Sequence, residues 1–202
     1  MDIKAEDVKK LREATGAGMM ECKKALVESD GDFETAKEIL RERGLASAKK
    51  MSERAAEEGV VEVYLHTPDV NLPPKVGVLV ELNCATDFVA KTAPFRELAK
   101  EIALHIAAAN PEVVAREDLP ADAVDREREF VTKQAREEGK PENIIEKMVE
   151  GRMKSFYAER VLLEQPYVRD DSKTIAQMLD EASSTMKEPV KVRRFARFRV
   201  GA

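Results

Sequence analysis

Residues 81–91 read Glu-Leu-Asn-Cys-Ala-Thr-Asp-Phe-Val-Ala-Lys, ELNCATDFVAK. The stretch closes a run of period two in which Val76, Val78, Val80, Leu82 and Cys84 share one side. It leads directly into a run of helical period in which Phe95, Leu98, Ala99, Ile102, His105 and Ile106 share one side. Side chains alternate across a strand and recur every three to four residues on a helix, so Thr86-Asp87-Phe88-Val89 is a strand-to-helix connection. Connections run over the surface whereas large apolar rings belong in cores. Phe88, flanked by Asp87, therefore either folds back as a lid or protrudes toward a partner.

Upstream, Val60–Thr67 carries Val61, Val63 and Leu65 on one face and predicts a strand paired antiparallel with 76–84 through the loop Pro68–Lys75. Downstream, the helix bearing His105 ends near Asn110-Pro111. Pro120 then opens a helix with Val124, Val131 and Ala135, which stops at Gly139-Lys140. Pro141 opens a partner helix with Ile144, Ile145, Met148 and Phe156. The two predict an antiparallel helical hairpin over 120–160. After Gln165-Pro166, Ser172 is placed to cap a short helix through Leu179, and Val190 to Val200 alternates as a third strand.

The first 44 residues predict three short helices. Val8 and Leu11 mark the first, before Gly16 and Gly18; Met19, Cys22 and Leu26 mark the second. The third is capped by Asp32, lined by Phe33, Ala36 and Leu40, and ends at Gly44. Residues 45–58, polar and Ala-rich, predict a helical linker without an apolar face. The expectation is an α+β chain: a three-helix domain at 1–44, a linker at 45–58, and a core at 59–202 with a three-stranded antiparallel sheet, packed helices and the hairpin. One small sheet leaves a face or an edge to cover and invites a second copy.

The 202 residues are 43% hydrophobic, 36% charged and only 5% aromatic, which favours amphipathic helices over a sandwich or barrel. No basic stretch followed by an apolar core opens the chain, and no run of about 18 apolar residues occurs, so a cytosolic protein without membrane contact is expected. Cys22 and Cys84 are too few for a disulfide framework or zinc site and read as reduced core thiols.

A net charge of −5 argues against broad nucleic-acid binding, although 187–202 holds six basic residues against one acidic. There Lys191, Arg193, Phe195, Arg197 and Arg199 share one strand face, a platform narrow for RNA. No catalytic or metal constellation emerges. His66 and His105 lack ligands at metal spacing; Gly16-Ala17-Gly18 is a turn after a helix; Gly139-Lys140 has no phosphate loop before it. No cofactor is expected.

Two long segments carry a family resemblance: Leu11–Leu26, LREATGAGMMECKKAL, and Glu81–Lys91. With EGKPENIIEKMVEGRMKSFYAE, Leu163–Val168 and the closing RRFARFRVGA, they make the chain resemble bacterial elongation factor Ts, the guanine-nucleotide exchange factors of elongation factor Tu, over nearly its whole length. The resemblance implies a three-helix domain similar to ubiquitin-associated modules, a protruding hairpin, and no bond-making chemistry. It implies that the loop Thr86, Asp87, Phe88, Val89 docks on the GTPase, with the ring as a wedge that disturbs its Mg²⁺ and phosphate site. Val76, Gly77 and His105 would support or extend that contact, and Met19, Met20 and Lys23 would meet another helix of the partner. Met19 or Met20 as core, and His105 as a satisfied packing residue, are the plainer readings. Longer members carry a second sheet-bearing segment, so the resemblance also implies a homodimer. A non-catalytic adaptor and an RNA binder are the alternatives.

Overall fold

The computed structural model describes residues 3–52, 54–69 and 71–201, without the side chains of residues 45 and 47–52. In chain order the elements are α1 (Ala5–Thr15), α2 (Met19–Glu28), α3 (Phe33–Ser52), β1 (Glu58–His66), β2 (Val76–Cys84), α4 (Asp87–Ala90) and α5 (Ala93–Ala109). There follow α6 (Ala121–Glu137), α7 (Glu142–Arg160), β3 (Pro166–Tyr167), β4 (Asp170–Thr174), α8 (Ile175–Met186) and β5 (Lys191–Arg199). The chain is α+β. It divides into two units, one of Met1–Gly59, Asn83–Lys91 and Leu179–Lys191, the other of Val60–Leu82, Thr92–Met178 and Val192–Ala202.

In the first unit, α1, α2 and α3 enclose Val8, Leu11, Cys22, Ala25, Leu26, Ala36 and Leu40. Gly16 takes φ 66° and ends α1, its N–H reaching the Arg12 carbonyl at 2.8 Å, a left-handed turn that glycine adopts without strain. Asp32 accepts from the Thr35 N–H at 2.7 Å and caps α3. Two sequence expectations are corrected. Met19 is not on the buried face of α2, which is formed by Cys22, Ala25 and Leu26. Gly44 does not end its helix: α3 continues to Ser52, and a Cβ at Gly44 would stand 2.9 Å from Ser184 Oγ. Gly44 serves a close approach there rather than a stop. The expected lack of an apolar face along 45–58 falls largely on side chains outside the described residues.

In the second unit the sheet order is β1-β2-β5, with β2 central. Val78, Val80 and Leu82 fill its buried side, and α5 buries Phe95, Ala99, Ile102, Ala103, His105 and Ile106. A fully buried large side chain such as Phe95 contributes on the order of 2 kcal/mol through transfer from water. Thr92 caps α5 and Asn110, at φ 53°, ends it. α6 and α7 are joined by residues 138–141. Ion pairs link Arg136 to Glu142 near the turn and Glu127 to Arg152 away from it, so the two helices run in opposite directions.

Ser172 does not cap a helix. It lies in β4, where its hydroxyl donates to Asp170 Oδ1 at 2.6 Å. α8 starts three residues later because Thr174 and Gln177 form a reciprocal cap. The Gln177 N–H reaches Thr174 Oγ1 at 3.3 Å, and the Thr174 N–H reaches Gln177 Oε1 at 2.9 Å. The short β3–β4 pair carries no sequence signal, since Asp170-Asp171-Ser172-Lys173 has no apolar alternation to announce a strand.

Candidate functional site

The loop after β2 is built around Thr86. Its extended backbone, φ −131° and ψ 151°, precedes the single turn α4, and its hydroxyl accepts from the Val89 N–H at 3.4 Å. Every polar atom of Thr86 is engaged. Its carbonyl accepts from the Cys84 thiol at 3.1 Å and from the Ala90 N–H at 3.3 Å, and its hydroxyl and N–H both donate to Glu188. Burial, ahead of the nearby carboxylates, pushes the Cys84 thiol up. That keeps it a protonated donor rather than a reactive thiolate.

On this base α4 presents Asp87 and Phe88. Lys91 Nζ sits 2.5 Å from Asp87 Oδ2, and that hydrogen bond holds the Asp87 carboxyl below its ordinary range. Phe88 is 79% exposed, while Ala90 two residues on is buried. Of the two conformations open to the ring, the structure shows the protruding one. An apolar ring held in solvent on a braced turn, beside a charged pair, is not part of a core, which makes it the candidate contact surface of this loop.

Met19, Met20 and Lys23 lie in the same unit, on α2. The methionines are 42% and 66% exposed and Lys23 is exposed, so none belongs to the core. Glu21 bonds back to the Gly18 N–H at 3.1 Å and fixes the start of that helix.

Val76, Gly77 and His105 belong to the other unit. Val76 opens β2 where the Lys75 N–H meets the His66 carbonyl and the Val200 N–H meets the Lys75 carbonyl, each at 3.0 Å. A Cβ on Gly77 would stand 3.3 Å from Leu65 Cδ2, so a side chain there would press on Leu65. His105 has no exposed surface. The Val168 N–H donates to Nδ1 at 3.3 Å, which leaves the ring proton on Nε2, 3.0 Å from Gln165 Oε1. Gln165 Nε2 in turn donates to the Glu159 carbonyl at 3.0 Å, which orients the amide. Burial holds His105 below its ordinary value of 6.5. Next to it Tyr167 is pushed up to about 12, first by burial and then by its bond to Glu101. The arrangement is that of a satisfied, neutral packing histidine.

The basic strand face is only partly free. Arg197 donates to the Ala107 carbonyl through Nε at 3.3 Å and Nη2 at 3.1 Å, and Lys191 Nζ donates to the Arg54 carbonyl at 3.2 Å. On the sheet, Val61, Val63, Leu65 and Leu79 form an exposed apolar set. Among the described residues no group of three or more His, Cys, Asp or Glu side chains is placed to hold a metal ion, and no helix is long and apolar enough to cross a membrane. Sequence reading missed Glu188, whose single acidic letter in a basic segment carries no local sign of its role.

A family model described as elongation factor TS matches residues 5–202. An elongation factor Ts of Acetivibrio thermocellus is 54% identical over 199 residues, covering 98% of this chain and 90% of the relative. That of Desulforamulus reducens is 55% identical over 200 residues, covering 99% and 90%. That of Coprothermobacter proteolyticus is 53% identical over 201 residues, covering 100% of both. With the match extending through the three helices, the loop at Phe88 and the closing strand, the chain belongs to the elongation factor TS family.

Proposed function

We propose that the chain is a guanine-nucleotide exchange factor of translation elongation: it docks on elongation factor Tu in the cytoplasm, disturbs the Mg²⁺ and phosphate site, and promotes GDP release. The exposed Phe88 ring on its braced turn carries this reading. Mg²⁺ demands a near-ideal octahedral shell, so a small displacement of the partner's metal-bearing loop weakens nucleotide binding. Thr86, Asp87, Phe88 and Val89 form the displacing loop. Met19, Met20 and Lys23 dock a second surface, and Val76, Gly77 and His105 support the contact by shaping the core. In functional terms residues 1–44 are the docking module, 45–58 its linker and 59–202 the remainder. By linkage, nucleotide weakens the complex by the same factor that the complex weakens nucleotide, so GTP completes the cycle and this chain makes no bond.

The exposed apolar set Val61, Val63, Leu65 and Leu79 supports a homodimer in which two sheets cover one another. The exchange reading is tested by release of a fluorescent GDP from elongation factor Tu, with and without this chain. Acceleration at substoichiometric amounts is expected, and an unchanged rate overturns it.

A further inference from the structure

The loop that carries Phe88 is held by more than its own neighbours in sequence. Two successive N–H groups, of Ala85 and Thr86, converge on Glu188 Oε2 at 3.2 and 3.0 Å, and the Thr86 hydroxyl donates to Oε1 at 2.6 Å. One carboxylate thus accepts three hydrogen bonds from two residues more than a hundred positions away, all of the charge-assisted kind. Because an ionised carboxylate only accepts, the Thr86 hydrogen points at Glu188. A lone pair of that hydroxyl is then left for the Val89 N–H, the bond that closes α4. Glu188 therefore sets the direction of the cap on which Phe88 stands.

Glu188 is itself positioned. Lys187 takes φ 60°, uncommon for a residue with a Cβ, and ends α8 in a left-handed turn. Beyond it the Val190 N–H donates to the buried Ser183 hydroxyl at 3.0 Å, which donates to the Leu179 carbonyl at 2.8 Å. The turn that offers the carboxylate is thus tied back onto α8. The same end of α8 faces the helical module: a Cβ at Gly16 would touch Thr185 Cγ2 at 3.7 Å, and Lys187 Nζ lies 3.8 Å from Glu21 Oε2.

We propose that Glu188 is the positioning residue of the exchange loop: its carboxylate latches Ala85 and Thr86 so that Phe88 is presented to the partner already in place. It acts through Thr86 and does not touch the partner. The inference rests on the exchange reading above. A latch of this kind raises the fraction of molecules whose loop is competent, and loss of charge-assisted bonds lowers that fraction by roughly tenfold.

The test compares intact Glu188→Gln, Thr86→Val, Thr86→Ser and the double variant Glu188→Gln/Thr86→Val, with Phe88→Ala as reference, in GDP release from elongation factor Tu. A Gln amide offers one acceptor oxygen where the carboxylate offers two, so either the two N–H groups or the Thr86 hydroxyl meets an NH₂ donor, and Glu188→Gln is expected to slow maximal release roughly tenfold at nearly unchanged melting temperature. Thr86→Val slows it similarly and Thr86→Ser, which keeps the hydroxyl, restores it. The double variant is no slower than the worse single, as coupled partners require. Additive losses overturn the latch, as does a loss that merely tracks the melting temperature. If Glu188→Gln does not fold, the contrast of Thr86→Val with Thr86→Ser decides, and equal rates for those two overturn the latch. Wild-type release by Glu188→Gln beside slow release by Phe88→Ala removes the latch and leaves the exchange function standing. Wild-type release by Phe88→Ala removes the wedge and the latch with it, whereas failure of the unaltered chain to accelerate release overturns the exchange reading itself.

Discussion

His105 Nε2 lies 3.0 Å from Gln165 Oε1, and because Nδ1 already accepts the Val168 N–H, the buried ring is neutral and singly oriented. Its folded-state value is lowered below 6.5, so the unfolded chain takes up the proton first as pH falls. The stability it supplies is fully present above about 6.5, the value of the unfolded chain, and is lost as pH falls toward and through the lowered folded value. His105→Ala leaves Gln165 Oε1 and the Val168 N–H without the ring that paired them and opens a cavity, a cost on the order of 3 kcal/mol at pH 7.5. Urea unfolding of both proteins at pH 7.5 and pH 5 should show the gap narrowing at the lower pH. A gap that stays constant or widens contradicts the neutral-ring assignment.

Phe88 and Met20 should separate in kinetics. Phe88→Ala is expected to lower maximal GDP release by roughly tenfold or more, since an anchoring aromatic is worth about 2 kcal/mol or more at an interface. Met20→Glu is expected to raise the concentration needed for half-maximal release while leaving the maximum near wild type. Both side chains are exposed, so both melting temperatures should stay within about 2 °C of wild type. Early melting of Phe88→Ala would place the ring in the core and end its role as a wedge.

Leu65 tests assembly. A charge in the middle of the exposed set Val61, Val63, Leu65 and Leu79 opposes burial of that face against a second copy. Light scattering at micromolar concentration should give about twice the chain mass for wild type and about one chain mass for Leu65→Lys. A wild-type monomer that exchanges nucleotide at full rate refutes the dimer.

Thr174→Ala should destabilise the protein by about 1 kcal/mol through loss of its cap on α8, while Ser172→Ala, at an exposed position of β4, should cost under about 0.5 kcal/mol. Urea midpoints of the two variants decide, and the reverse order would restore Ser172 as the cap.

Much of this architecture is legible in periodicity. The run 76–84 reads as a strand because Val78, Val80 and Leu82 alternate into the core. The helix at 93–109 reads as one because Phe95, Ala99, Ile102 and Ile106 recur along one buried side. Other features are hidden for identifiable reasons. Gly44 looks like a stop, and only the approach of Ser184 to 2.9 Å from its missing Cβ explains a glycine inside a helix. Ser172 and Thr174 are equally good caps by residue type; what separates them is Gln177, three residues after Thr174, which completes the reciprocal pair. At the site, the protruding state of Phe88 was one of two readings open to the residues, and exposure distinguishes them. Glu188 was beyond reach, because hydrogen bonds that span 102 residues leave no trace in local spacing.

That span also sets a timetable for making the protein. The loop at 85–86 is synthesised about a hundred residues before Glu188, and central strand β2 acquires its β5 neighbour only with residues 191–199. Through most of translation the segment around Phe88 is therefore a nascent chain without its anchor, and long-range closure of this kind is slow. Chains arrested with residue 180 as the last residue released should be cut by protease near Phe88, and chains released in full should resist. Equal resistance of the two would mean that the loop takes its shape before its anchor exists.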